Sequence, residues 1–222
     1  MSDTTKRVKS EETRARILEA AMELFRQQGF DAATMREIAV KAGVATGAAY
    51  YYFDSKDAIV LAFYNQAQQE MAPQLENALE ATRDLRERLR RIIEVKLEYF
   101  APSRRLLGAL SGHTNPEHPL SPFSAQTRAI RESDVAFFER ALEGSRVTVA
   151  ADLRDYLPRL LWMYQMGLIL FWINDSSAGQ LRTRALLDKS LDVVVRLIKF
   201  AGLPLTRPLR KMVIELVDVV VA

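Results

Sequence analysis

Residues 34–56, TMREIAVKAGVATGAAYYYFDSK, constrain the fold of this chain more than any other stretch. Thr34 and Glu37 have the spacing of a capping box, in which each side chain hydrogen-bonds the backbone of the other residue. The apolar residues after this cap recur at helical spacing, and Gly43 supplies the left-handed residue that commonly ends a helix. The stretch therefore predicts a short helix, a tight turn and a second short helix.

The predicted second helix changes in side-chain size along its length. Residues 45–49, ATGAA, are small, and residues 50–53, YYYF, are aromatic. Small residues let a helix approach another surface closely, and the phenols that follow can reach phosphate oxygens. We expect this helix to enter the major groove of double-stranded DNA, with Thr46, Gly47 and Ala48 facing the bases. Thr46 is the one side chain among these three that can hydrogen-bond a base.

The same pattern continues on both sides of the turn, over about the first quarter of the chain. Its matching positions are Thr13-Arg14, Ile17-Leu18, Ala20-Ala21, Leu24-Phe25, Gly29-Phe30, Thr34, Ile38-Ala39, Ala42-Gly43-Val44, Gly47, Tyr50, Tyr52-Phe53 and Ser55-Lys56. Together they resemble the helix-turn-helix of the TetR family of bacterial transcriptional repressors. The resemblance implies an all-α fold, with a three-helix DNA-binding domain at residues 10–54 and a helical effector-binding and dimerisation domain at residues 55–222.

The resemblance also implies which side chains contact DNA phosphates. They are Thr34, Tyr50, Tyr51, Tyr52 and Lys56.

Two positions depart from the family pattern, because Ala45 stands where a serine cap is common and Ala49 stands where a larger aliphatic residue is common. Either Thr46 caps the recognition helix, or that helix has no side-chain cap.

The composition argues against several other classes of protein. The chain has no cysteine, so neither disulfides nor thiolate metal sites are available. Its two histidines, His113 and His118, cannot complete a zinc site by themselves. The N-terminus lacks an apolar signal segment, and the longest apolar run, residues 160–173, is shorter than a bilayer span. We therefore expect a cytoplasmic protein with no metal, no cofactor and no membrane partner.

No arrangement of residues predicts catalysis. Ser111 and His113 lie close together in a predicted loop, but a Ser-x-His pair is not a catalytic triad and no nucleophile elbow is present. There is also no glycine-rich phosphate loop. The sequence therefore favours a binding protein over an enzyme.

Basic residues occur in two clusters. The cluster at residues 6–16 is either a solvated tail or an arm that lies along phosphate or in a minor groove. The arginines at residues 83–91 alternate with acidic residues, which favours a solvated, ion-paired helix face over a second DNA or membrane surface. Because the formal net charge is only +3, local geometry and not total charge supports DNA binding.

Helical periodicity continues after the predicted DNA-binding domain. Pro73 either kinks a helix or marks a join between two helices. The valine-rich C-terminus is the one candidate for a strand, although a last helix is the alternative. The predicted helices cover about residues 10–28, 55–71, 75–100, 104–110, 121–142, 152–173, 180–201 and 209–221.

The apolar run at residues 160–173 contains one polar residue, Gln165. Its aromatic residues are either ordinary core or the wall of a ligand cavity, and Gln165 either orients a ligand or meets its counterpart across a dimer. The resemblance favours a cavity for a small apolar or aromatic effector. The candidate lining residues are Phe100, His113, Phe137, Trp162, Gln165 and Trp172.

The two predicted helices at residues 152–173 and 180–201 can form half of a four-helix bundle. The resemblance implies that such a bundle joins a homodimer, which would read a palindromic operator in double-stranded DNA. The sequence thus predicts a repressor released from DNA by a small effector. The alternative is a dimeric DNA-binding co-regulator or structural protein that binds no effector. The candidate interface residues are Leu187, Leu191, Val194, Val195 and Ile198.

Overall fold

The computed structural model describes the backbone of residues 2–221 and the side chains of residues 7–215. Within that range the regular elements are all helices, and no strand occurs. Short 3₁₀ turns precede the sixth, eighth, ninth and tenth helices. The prediction of an all-α fold is confirmed. The α-helices are α1 (Ser2–Gln28), α2 (Met35–Lys41), α3 (Thr46–Tyr52), α4 (Lys56–Ala81), α5 (Leu85–Phe100), α6 (Arg104–Leu110), α7 (Arg128–Glu143), α8 (Leu157–Asn174), α9 (Leu181–Ala201) and α10 (Arg207–Val221).

The chain divides into two compact units. The first unit comprises residues 1–69 and 100–130, and the second comprises residues 70–99 and 131–222. Residues 100–130 therefore belong with the N-terminal helices, which no local pattern in the sequence indicates. The predicted functional boundary after residue 54 stays a prediction.

The first unit is built around α1. Ile17 and Phe25 of this helix are completely buried, together with Ile38 of α2. Phe30 and Phe53 are also buried, as expected for a three-helix core, and the rings of Phe25 and Phe30 lie 5.2 Å apart. These contacts hold α2 and α3 on one side of α1.

The helix predicted from residue 121 begins later, at Arg128. The preceding residues form a loop with a buried polar interior. The Thr127 hydroxyl donates to the Ser121 carbonyl at 2.7 Å, and the Ser124 hydroxyl donates to the Pro119 carbonyl at 2.9 Å. Serine and threonine hydroxyls can replace helical hydrogen bonds in this way, which explains why the helix does not extend through the loop.

The long helix α4 continues past Pro73 to Ala81, so the proline does not mark a join between two helices, which was one of the two alternatives that the sequence left. Pro73 lies at an exposed position inside this helix. The break comes at residues 82–84, where the Asp84 carboxylate accepts the Glu87 N–H at 3.0 Å. This contact caps the start of α5, so the chain turns where a cap is available.

Arg88 corrects the prediction that the arginines of α5 are all solvated. Its guanidinium is buried and donates to the Leu79 carbonyl at 2.5 Å and to the Ala141 carbonyl at 3.1 Å. These carbonyls lie in the last turns of α4 and α7, where the helix dipoles favour a cation. A Cβ atom at Gly144 would overlap the guanidinium. Burial lowers the pKa of Arg88 below its usual value.

Other arginines of α5 are ion-paired, as predicted. Arg86 contacts Asp188 at 2.5 Å and Asp192 at 2.6 Å, so it connects α5 to α9. The hydrogen bonds that Arg86 donates to these two carboxylates raise its pKa. Arg90 pairs with Glu94 at 2.9 Å within α5. Acidic residues of α9 and α5 thus hold Arg86 and Arg90 respectively.

The valine-rich C-terminus forms part of helix α10, so the strand candidate is wrong. Arg210 fixes the start of this helix by binding both Asp152 carboxylate oxygens at 3.0 Å and the Ala201 carbonyl at 2.9 Å. The predicted apolar side chains from Leu216 onward lie outside the described residues.

Candidate nucleic-acid interface

The capping box at the start of α2 is present as predicted. The Glu37 N–H donates to the Thr34 hydroxyl at 3.2 Å, and the Thr34 N–H donates to the Glu37 carboxylate at 2.9 Å. The Thr34 hydroxyl donates to the same carboxylate oxygen at 2.8 Å, and these bonds from Thr34 lower the pKa of Glu37. Both Thr34 donors are therefore used inside the protein, and its contact with phosphate stays a prediction.

Helix α3 begins without a side-chain cap. Ala45 occupies the cap position with an extended backbone, and Thr46 is already the first helical residue. Gly43 adopts a positive φ of 66° in the turn before it. Of the two alternatives left by the sequence, the uncapped helix is the one that the structure contains.

The start of α3 is open. Thr46 and Gly47 are exposed, Ala48 is half-buried, and Ala49 is completely buried. A Cβ atom added at Gly47 would meet no atom within 4 Å. The small residues that the sequence assigned to the groove thus form an outward surface with little side-chain bulk.

The three tyrosines of α3 have different environments. Tyr50 and Tyr51 are exposed, with 82% of Tyr51 accessible. Tyr52 is half-buried, and its hydroxyl donates to the Ser10 hydroxyl at 3.2 Å. Tyr52 therefore joins α3 to α1, whereas the other two phenols point outward.

Lys56 also has partners inside the first unit. Its ammonium donates to the Phe30 carbonyl at 2.6 Å and to the Asp31 carbonyl at 3.2 Å, and it lies 4.6 Å from the centroid of the Phe30 ring. These contacts hold the loop between α1 and α2. An ammonium has three N–H donors, so one is left for an external acceptor.

Two residues of α2 extend the exposed surface and were not assigned to it from the sequence. Arg36 and Val40 lie one helical turn apart on the outer face, and 73% of Val40 is accessible. Among the described residues, Arg36 has no hydrogen-bond or ion-pair partner, whereas the neighbouring Lys41 pairs with Glu23 at 2.6 Å. Arg36 and Val40 lie opposite the buried face of α2, so the helical periodicity of the sequence could have identified them as exposed.

The basic N-terminal segment is helical and is not an irregular tail. Arg14 lies 4.8 Å from the Phe53 ring centroid, and Ser10 receives the hydrogen bond from Tyr52. The first half of α1 is therefore held beside the end of α3. The predicted arm also includes Lys6, whose side chain lies outside the described residues.

The predicted effector-binding residues are divided between the two units. Phe100 and His113 belong to the first, where the Phe100 ring lies 5.8 Å from that of Phe63, and His113 stacks on His118 at 3.8 Å. The other four are buried in the second unit: Phe137, Trp162, Gln165 and Trp172.

The predicted dimer interface needs correction, because its residues lie mostly inside their own chain. Leu191 is 0% exposed, and Val194 is half-buried. A helical stripe shows that one face is covered, but not whether its own chain or a partner covers it. Leu187, Val195 and Ile198 are buried in the same way.

The opposite faces of α8 and α9 carry the exposed apolar residues. On α8 they recur around the exposed Gly167, and on α9 they recur at intervals of about one or two turns. The residues are Met163, Leu170 and Phe171 on α8, and Leu186, Val193, Leu197 and Phe200 on α9. An apolar surface of this kind marks a site of association.

No group of three or more histidine, aspartate or glutamate side chains that could hold a metal ion occurs among the described residues. In the same part of the chain, no helix combines the length and the apolar character that crossing a membrane requires.

The helical fold and the exposed turn-helix surface define the class of the protein, a helix-turn-helix DNA-binding regulator. The model for bacterial regulatory proteins of the tetR family matches residues 17–63. The model for a tetracyclin repressor-like C-terminal domain matches residues 88–217. The chain belongs to the TetR family and is a DNA-binding transcriptional regulator, not an enzyme.

Individual relatives agree with this assignment. The HTH-type transcriptional activator FasR of Mycolicibacterium smegmatis is 36% identical over 94 residues, which are 42% of this chain and 43% of FasR. The alignment thus spans less than half of either protein.

Two solved structures share the fold. FadR from Bacillus subtilis, in complex with stearoyl-CoA, has a TM-score of 0.62 at 17% identity and covers 85% of this chain and 98% of FadR. SmeT, in a complex with triclosan, has a TM-score of 0.60 at 19% identity and covers 82% of this chain and 91% of SmeT. At such identities the likeness shows the fold alone.

Proposed function

We propose that the protein is a homodimeric repressor that binds a palindromic operator and leaves it when a small apolar or aromatic effector binds. The observation that carries the DNA-reading part is the exposed start of α3, where Gly47 has open space around its Cβ position. Such a surface allows the backbone to come close to base edges in a major groove.

Base reading is assigned to the exposed residues at the start of α3 and on α2. The Thr46 hydroxyl can donate to or accept from a base, and Gly47 and Ala48 leave room for that contact. Arg36 brings an exposed guanidinium to the adjacent surface, where it can bind guanine or phosphate.

Phosphate binding is assigned to two kinds of residue. Tyr50 and Tyr51 are exposed donors, whereas Thr34, Tyr52 and Lys56 have partners in their own unit and would place the turn correctly before DNA binds. Arg14 of α1 lies 4.8 Å from the Phe53 ring, so it adds a positive charge beside the end of α3.

The homodimer is assigned to the exposed apolar faces of α8 and α9. Two such helices from each copy form a four-helix bundle related by a two-fold axis. The dimer presents two copies of α3, and a palindromic operator matches that symmetry. This replaces the interface predicted from the buried stripe of α9.

An effector site in the second unit is supported by the buried aromatic residues and by Gln165. Two proteins of this fold, FadR and SmeT, were solved with stearoyl-CoA and triclosan respectively. An effector that binds better to the DNA-incompetent conformation would shift the population towards it. A coupling of about 1–3 kcal/mol would weaken operator binding about 5–150-fold, and DNA would weaken effector binding by the same factor.

Selection of DNA from a random library by the purified protein tests the reading surface. We expect an inverted repeat that competes with non-specific DNA, and recovery of no preferred sequence would refute operator reading. A thermal-shift screen of apolar metabolites, followed by operator release, tests the effector. Stabilisation by none of them would support the effector-free alternative.

A transcriptional reporter carrying the selected operator tests the sign of regulation. We expect the protein to lower reporter expression. FasR is described as an activator, so an increase in expression would show that this chain resembles FasR in its effect.

A further inference from the structure

Gln165 is the least explained polar side chain of the second unit. It is 0% exposed, and neither its amide nitrogen nor its amide oxygen has a hydrogen-bond partner among the described residues. A primary amide offers two donors and an acceptor, and almost all buried polar groups in folded proteins are hydrogen-bonded. Leaving both ends of this amide unbonded would destabilise the fold.

The surroundings of Gln165 on α8 are apolar. The buried residues one turn away on the same face are Leu161, Trp162 and Leu168, and Trp172 follows one turn later. A methionine or leucine at residue 165 would suit such a face without the cost of burying an amide. The fold alone therefore does not account for a glutamine here.

The proposed dimer interface does not supply the missing hydrogen bonds. Gln165 lies on the face of α8 that packs within its own chain. The outward face of α8 is instead formed by Met163, Leu170 and Phe171. If this outward face joins the dimer, as proposed above, Gln165 does not meet its counterpart across the dimer, which was one of the two alternatives that the sequence left open.

We propose that Gln165 binds the effector through both ends of its amide, which defines the chemical class of that effector. The ligand is an uncharged, mostly apolar molecule with one group that both accepts and donates a hydrogen bond. A hydroxyl, a primary amide or a protonated carboxyl has this property, whereas an ether or ketone satisfies only the amide N–H. The proposal rests on the proposed effector function.

The charge of the ligand follows from the same environment. An ion placed among the apolar residues of α8 would lose its hydration, and the amide of Gln165 carries no charge to offset that loss. A neutral ligand avoids this loss, and its apolar body can lie against Trp162 and Trp172.

The first experiment needs no ligand. Replacing Gln165 by methionine removes the buried amide and keeps the length of the side chain. We expect the melting temperature of the unliganded protein to rise by roughly 2–4 °C. Gln74→Met, at an exposed position of α4, is the matched control and should change it little. A lower melting temperature for Gln165→Met would show that the amide already has partners, such as a buried water, and would overturn the proposal.

The second experiment compares three probes of similar shape: 2-naphthol, 2-methoxynaphthalene and 2-methylnaphthalene. The first donates and accepts, the second only accepts, and the third does neither. We expect wild-type protein to bind 2-naphthol about 10-fold more tightly than the other two. In Gln165→Met this preference should disappear.

The outcomes separate this inference from the proposed function. Equal preference in the wild type and in Gln165→Met, or no binding of any probe, would overturn the role of Gln165. Selective binding of 2-naphthol that leaves operator affinity unchanged would uphold the site and refute its role in releasing DNA.

Discussion

The α2–α3 pair and the α8–α9 pair each present an exposed surface that we assign to a macromolecular partner, but the two surfaces depend on the sequence differently. In α2–α3, the Thr34–Glu37 capping box and the turn at Gly43 determine which residues point outward. In α8–α9, apolar residues occupy both the buried and the exposed faces. A local motif orients a helix, whereas apolar periodicity alone does not show which of two apolar faces is buried.

Helix α9 shows why apolar periodicity does not identify the face that meets a partner. Leu191 and Val195 point into their own chain, whereas Val193 and Leu197 on the other face are exposed. All four are aliphatic residues. Only the position of the neighbouring helices distinguishes the core stripe from the surface stripe.

The largest expected effect comes from a charge placed on the buried face of α9. Leu191→Glu would bury a carboxylate without a partner, and we expect it to destabilise the protein by more than about 3 kcal/mol. Val193→Glu, at a residue that is 56% exposed, should leave the chain folded but monomeric and unable to bind its operator with high affinity.

Circular dichroism and sedimentation distinguish the two α9 variants. If Leu191→Glu were folded and monomeric while Val193→Glu stayed dimeric, the originally predicted interface would be correct and the exposed stripe would not be the dimer surface.

A bulky side chain at the start of α3 should have the next largest effect. Gly47→Leu is expected to lower operator affinity by about 100-fold, or about 2.8 kcal/mol, because the side chain blocks approach to the groove. The melting temperature should not fall, since the position is open and leucine favours helix more than glycine does. Gly47→Ala is the control with a smaller expected loss. Normal operator binding by Gly47→Leu, measured by fluorescence anisotropy, would mean that this surface does not face the groove.

A smaller effect is expected at Gly144, which leaves the space that the Arg88 guanidinium occupies. Gly144→Ala would displace the Arg88 guanidinium from the carbonyls at the ends of α4 and α7. We expect a loss of about 2 kcal/mol in the free energy of unfolding. Since both changes disrupt the same contacts, the loss should not add to that of Arg88→Met in a double-mutant cycle. Full additivity would show that the two residues act independently.

The smallest effect concerns Lys56, which has both an internal and a proposed external role. Lys56→Met keeps most of the aliphatic stem and removes the bonds to Phe30 and Asp31, at a cost of about 1 kcal/mol in stability. If the remaining N–H binds phosphate, the salt slope of operator binding should fall by about 1. A destabilised variant with an unchanged slope would restrict Lys56 to holding the loop.

The sequence by itself determined the features that depend on residues a few positions apart. The capping box, the turn at Gly43 and the helix at residues 104–110 were all predicted, because their donors, acceptors and breakers are neighbours in the chain. Phe30 and Phe53, whose burial fits a three-helix core, are buried in the first unit.

Only the tertiary structure decided which side chains meet across long sequence separations. Arg88 is buried because the ends of α4 and α7 place carbonyls around it, and Leu191 is buried because its own chain covers that face of α9. Gln165 is likewise buried because its own chain covers that face of α8. A periodic pattern records that a face is apolar or charged, but the surface that covers it comes from residues tens of positions away, and only the folded chain brings them there.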